Sequence, residues 1–167
     1  MRYKIIVPVM VAAAVVIVAC SSVDCPVENT VATVIKLQRA DGTPDTLRTD
    51  TITITSPKAG NADTTLLNRS INTVAFQLPV SYTQPVDTLY LTLADTVTDN
   101  HQVYHDTIYI TKTNSPHFES VDCNLSYFHE ITAVEHTRHR IDSIVINKSS
   151  VNYDLTQEHL RLYFNRP

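Results

Sequence analysis

The sequence predicts an all-β fold: an antiparallel β-sandwich of immunoglobulin-like layout, built from roughly seven to nine short strands. Apolar residues alternate with polar ones over short runs, as in Val74, Phe76 and Leu78, or Leu89, Leu91 and Leu93. Threonine, valine, isoleucine and tyrosine fill those runs, and such side chains suit a pleated, half-buried surface. No segment after Cys20 sustains the 3.6-residue apolar period of a helix.

The chain opens differently. Arg2 and Lys4 precede an apolar run from Ile5 to Val18, shorter than the roughly 20 residues that cross a bilayer core. The order of basic, apolar and small residues is that of a secretory signal. Ile17-Val18-Ala19-Cys20 looks like the cleavage box of a bacterial lipoprotein, and the other reading is an ordinary signal peptide with an incidental cysteine. Three parts are therefore expected: a lipoprotein signal over 1–19, a short tether over 20–29 and a single sandwich domain over 30–167. Cys20 is the expected lipid-attachment residue, and acyl chains including palmitate on it would anchor the protein durably.

Cleavage removes Arg2 and Lys4 and no acid, so the mature chain is two charges more negative than the −4 of the whole. An acidic body without a basic cluster excludes nucleic acid as the expected partner. It also leaves membrane adhesion to the lipid anchor. Once Cys20 is set aside, Cys25 and Cys123 are an even pair in a compartment where disulfides persist, and a bridge between them is expected. Two buried free thiols are the alternative. The Cys20–Cys25 segment reaches at most about 17 Å, so a bridged Cys25 would hold the body close to the membrane.

Along the domain, Val31, Thr33, Ile35 and Leu37 alternate with Ala32, Val34, Lys36 and Gln38. Asp41-Gly42 followed by Pro44 is a turn, since glycine supplies a positive φ. Ile52 and Ile54 mark a second strand; Leu47 falls on the other parity, which predicts a bulge or break near Thr49. Residues 56–63, with Pro57 and Gly60, read as a loop before a weak strand at Leu66 and Leu67. A strand at Val74 to Leu78 stops at Pro79, and Tyr82 to Pro85 turns the chain into Leu89 to Leu93. Tyr104 to Lys112 follows. Residues 114–124 read as irregular because Pro116 breaks them. Tyr127 to Val134, Ile144 to Ile146 and Leu160 to Phe164 complete the strands, with a polar loop over 148–158. Two glycines are few for so many turns, so asparagine and aspartate must take several.

One tripeptide recurs: aspartate, then threonine or serine, then a residue that is mostly apolar. Its hydroxyl positions are Thr46, Thr51, Thr64, Thr88, Thr96, Thr107 and Ser143. Aspartate can cap a turn here while the β-branched residue begins a strand. The same tripeptide resembles the O-glycosylation acceptor of exported Bacteroidales proteins, which makes these seven residues candidate acceptors. The histidines at 136 and 139, or at 101 and 105, lack the shared face that a metal needs, so no metal and no cofactor are expected. Acids at 95 and 99 lack the remainder of a calcium loop. Nucleophile elbow, phosphate loop and zinc-protease helix are all missing, so no catalytic residue is assigned. Tyr153, Tyr163 and Phe164 could form an aromatic platform for sugar, or cover one end of the core.

Ser22-Val23-Asp24-Cys25 and Ser120-Val121-Asp122-Cys123, with Pro116-His117-Phe118-Glu119 before the second, are similar to segments of an uncharacterised family of Bacteroidales lipoproteins. Ile141 to Asn147, Val151 to Asp154 and Leu162-Tyr163-Phe164 share that resemblance. The family, a domain of unknown function, carries no activity over. The resemblance implies a neighbouring outer-membrane barrel protein as partner. With a single acid after Cys20, the expected location is the periplasmic face of the outer membrane. The expected function is that of a non-enzymatic interaction or assembly module on a membrane partner, the alternative being a module that binds glycan or a small envelope ligand.

Overall fold

In a computed structural model of the chain, the described residues are 25, 30–58, 61–96, 101–121 and 123–165, Asn61 by its backbone alone. The expected leader, Cys20 and the tether, apart from Cys25, lie outside them. Ten strands and no helix occur among the described residues: β1 (Ala32–Leu37), β2 (Asp50–Lys58), β3 (Asn61–Ser70), β4 (Ala75–Pro79), β5 (Val86–Asp95), β6 (Val103–His117), β7 (Ser126–His136), β8 (Ile141–Ile146), β9 (Ser150–Val151) and β10 (Leu160–Phe164).

They form a β-sandwich. One sheet has the order β4-β1-β10-β8 and the other β3-β2-β5-β6-β7-β9. Ile35, Leu78 and Leu160 of the first sheet and Ile52, Leu91 and Ile108 of the second belong to one buried cluster, so the core lies between the layers. Every pairing is antiparallel except β1 with β10, which run parallel with Ile35 opposite Leu160. Four strands against six is a different count from the four and three of a constant-type immunoglobulin domain.

The alternation in the sequence locates most inward faces. Leu89, Leu91 and Leu93 are buried on β5, as are Ile108 and Ile110 on β6. The break near Thr49 is real: Arg48 and Thr49 bend, and Leu47 is buried ahead of β2. Gly42 takes a φ of 85° in the Asp41 turn, where Asp41 Oδ1 accepts hydrogen bonds from Thr43 N–H and Oγ1–H. Asn72 also takes a positive φ, as a chain poor in glycine requires.

Elsewhere the structure corrects the sequence reading. Residues 56–58 and 61–63 are strand and not loop: β2 continues to Lys58 and β3 starts at Asn61, with Ser56 opposite Thr64. Pro116 does not break its segment either, since β6 runs to His117 with Pro116 opposite Tyr127. Both prolines are tolerated for one reason. β2 pairs with β5 only up to Thr55, and β6 pairs with β5 only up to Thr111, so each proline stands where its strand has a single neighbour. The tenth strand is β9, inside the polar loop, where Val151 is fully buried opposite His129.

β1 is buried on both faces along most of its length, beyond the half-burial that its alternation predicts. His159, itself fully buried, bonds to the middle of the strand. Its N–H donates to Val34 O at 3.0 Å, and Val34 N–H donates to its Nδ1 at 2.9 Å. The ring is therefore neutral with its proton on Nε2, and burial pushes its pKa down.

Candidate functional site

One end of the sandwich gathers exposed aromatic and apolar side chains around the chain's entry point. The residues before β1, the β4–β5 connection, the end of β6, the start of β7 and the segment after β9 meet there. Cys25 and Cys123 stand at disulfide distance, Sγ to Sγ 2.05 Å and Cα to Cα 5.6 Å, so the expected pair is brought together. Beside it opens a groove of about 460 Å³, lined by Val31, Val80, Tyr82, Leu125, Ser126, Tyr127 and His129. Tyr82 is 60% exposed and stacks on Tyr127, the ring centres 5.0 Å apart. Behind it, His117 stacks on Phe128 at 4.0 Å, and Tyr153 meets Phe128 edge-on at 4.9 Å.

A buried polar network fixes the segment that presents Tyr82. Lys112, whose side chain is fully buried, forms an ion pair with Asp87 at 3.0 Å and donates to Gln84 O at 2.7 Å. Asn114 Nδ2 donates to the carbonyls of Tyr82 and Gln84, while its Oδ1 accepts from His129 Nδ1 at 2.7 Å. Burial raises the Asp87 carboxyl pKa although Lys112 draws it down, the mark of a pair whose desolvation outweighs its attraction. These groups satisfy one another and hold a loop, which is positioning and not chemistry on a substrate.

Burial, with Lys112 adding repulsion, pushes the His129 pKa down to about 4. The unfolded chain takes up that proton near pH 6.5, and the folded protein resists it down to about pH 4. Stability held above pH 6.5 is therefore lost as the pH falls through this window, by about 3 kcal/mol for this group. His159, also shifted down, acts in the same direction; Asp87, shifted up, opposes it at the acid end. Urea unfolding at pH 7 and pH 4.5 is expected to show the loss. His129→Gln, which keeps a donor for Asn114, is expected to reduce the difference without abolishing it.

The remaining sequence candidates are scattered. Thr64 and Thr96 are exposed; Thr46, Thr88, Thr107 and Ser143 are half-buried. Thr51 is only 6% exposed and its hydroxyl faces Ala94 O at 3.4 Å, so a glycan cannot be attached there once the sheet has formed. The platform of Tyr153, Tyr163 and Phe164 is not assembled. Tyr153 sits at the groove end, whereas β10 carries the other two away from it, Tyr163 bonding Gln38 at 3.0 Å. Among the described residues no group of three histidine, cysteine, aspartate or glutamate side chains gathers as a metal site needs.

Sequence reasoning missed Tyr82, Tyr127 and the Lys112 network. Tyr82 lies in a turn and Lys112 near the end of a strand run. Only the pairing of β6 with β5 and β7 makes them neighbours, so no local pattern marks them.

No curated protein and no solved structure matches the chain. A family model described as a family of unknown function, DUF6452, matches residues 49–164, which takes in β2 to β10 and Cys123 and leaves out β1 and Cys25. Because that match covers well over half of its residues, the chain belongs to the DUF6452 family.

Proposed function

We propose that the protein is a non-enzymatic lipoprotein of the Bacteroidales outer membrane, anchored by acyl chains including palmitate on Cys20. In this reading it sits on the periplasmic face, and its sandwich is an interaction or assembly module for a membrane partner such as an outer-membrane barrel. The observation that carries the reading is the position of the groove. Its wall residues Leu125 to Tyr127 follow closely on Cys123, the partner of Cys25, and Cys25 is at most about 17 Å from Cys20. A partner embedded in the same membrane meets that end first.

A photo-crosslinking residue at position 82 in the native host is expected to trap an outer-membrane protein. The same residue at Val103, at the opposite end of β6, is expected to trap none. Equal adducts from both positions, or none from 82, would contradict the proposal. The pairing of Tyr82 with Tyr127 along an open groove favours one second reading, a glycan or small envelope ligand stacked on the tyrosines. Such a ligand raises the melting temperature of the native protein, and a panel of envelope glycans tests this. Of the candidate O-glycan acceptors, exposed Thr64 and Thr96 fit this account best.

A further inference from the structure

We infer that Phe118, Val121 and Leu125, which flank Cys123 between β6 and β7, seat their side chains in the lipid of the membrane that anchors the chain. This rests on the lipoprotein reading above and adds a lipid-contacting surface to it. Three observations carry it. Val121 is 99% exposed, Phe118 67% and Leu125 43%, an apolar group around one residue of the bridge. A soluble surface gains nothing from such a group, whereas a membrane interface does. The second is reach: Cys20 lies at most about 17 Å from Cys25, so the acyl chains and these side chains must occupy the same neighbourhood.

The third is charge. Residues 113–129 contain no lysine or arginine and two acids, Asp122 and Glu119, the latter paired with His117 at 2.8 Å. Contact is therefore apolar insertion beneath zwitterionic headgroups, not attraction to anionic ones. Leu125 also lines the groove with Tyr82, so the lipid contact borders the groove there, and Tyr82 and Tyr127 are left to a protein partner.

The chain has no tryptophan, so one introduced residue reports alone. Val121→Trp, at a site too exposed to disturb packing, and Val103→Trp as control are made in the full chain, purified from membranes and reconstituted into phosphatidylethanolamine–phosphatidylcholine vesicles. With brominated acyl chains in the vesicles, emission at 121 is expected to shift to the blue and fall to about half, while emission at 103 stays unchanged. Vesicles that float with the protein but leave position 121 as wet as 103 overturn the inference and spare the lipoprotein reading. A position wet in vesicles but shielded in native membranes assigns the side chains to a protein partner, which also overturns it. Protein left behind by floating vesicles overturns both, and flotation identifies the anchor as the failure.

Discussion

Asp106→Ala is expected to lower the free energy of unfolding by about 4 kcal/mol or more, read as a fall in the urea midpoint without a change in slope. Asp106 lies inside β6, and its carboxylate is fully shielded from solvent. Oδ1 accepts from Thr137 Oγ1–H at 2.6 Å, His139 N–H at 2.9 Å and His139 Nδ1 at 3.2 Å. Oδ2 accepts from Arg140 N–H at 2.7 Å and Ile141 N–H at 2.9 Å. The carboxylate thus organises the turn that carries the chain from one sheet to the other. Alanine would strand several of these donors, and a buried donor without an acceptor costs about 1–3 kcal/mol. Asp106→Asn is expected to fall between, because one of its two terminal atoms becomes a donor facing donors.

The carboxylate also has a pH signature. Burial alone would raise its pKa, but hydrogen bonds from Thr137 and the 139–141 backbone outweigh burial and hold it below 3.8. Its contribution is present above that value and is lost as the pH falls through the lower folded-state pKa. Stability curves of wild type and Asp106→Ala are therefore expected to converge under strong acid. Parallel curves there would contradict the role assigned to the charge.

Cys25→Ser is the second large effect, expected to cost about 4–5 kcal/mol in the chain-entropy description. The two cysteines are 98 residues apart in sequence, so their bond would remove much of the unfolded chain's freedom. A lowered melting temperature in the oxidised variant checks the stability. Thiol counting on the unfolded wild-type mature chain, expected to find no free cysteine, checks the bond itself.

The strands with one solvent face were legible because their period is visible in the residues. Leu89, Leu91 and Leu93 could only face a core, and Asp41-Gly42 could only turn. The prolines misled because their cost depends on the neighbour a strand has, and strand order is not written in any local pattern. β1 misled in the other direction: it is buried on both faces, and its Val34 bonds to His159, 125 residues away. The recurring aspartate-threonine motif shows both sides. Asp41, outside the motif, caps its own turn as local chemistry predicts. Asp106, within it, caps a turn some 30 residues further on, which only the folded sheets bring within reach. The cysteine pair was readable from counting alone. The tyrosine groove was not, since its walls come from three stretches far apart in sequence, at Val31, at Val80 and Tyr82, and at Leu125 to His129.

We propose that acyl chains on Cys20 hold this end of the sandwich against a membrane. The intact mass of the protein extracted from its native membranes tests it most directly. A chain beginning at Cys20 and heavier than its sequence by the added acyl groups is the expected result. A chain of unmodified mass, recovered from the soluble fraction and cut at another peptide bond, would contradict it.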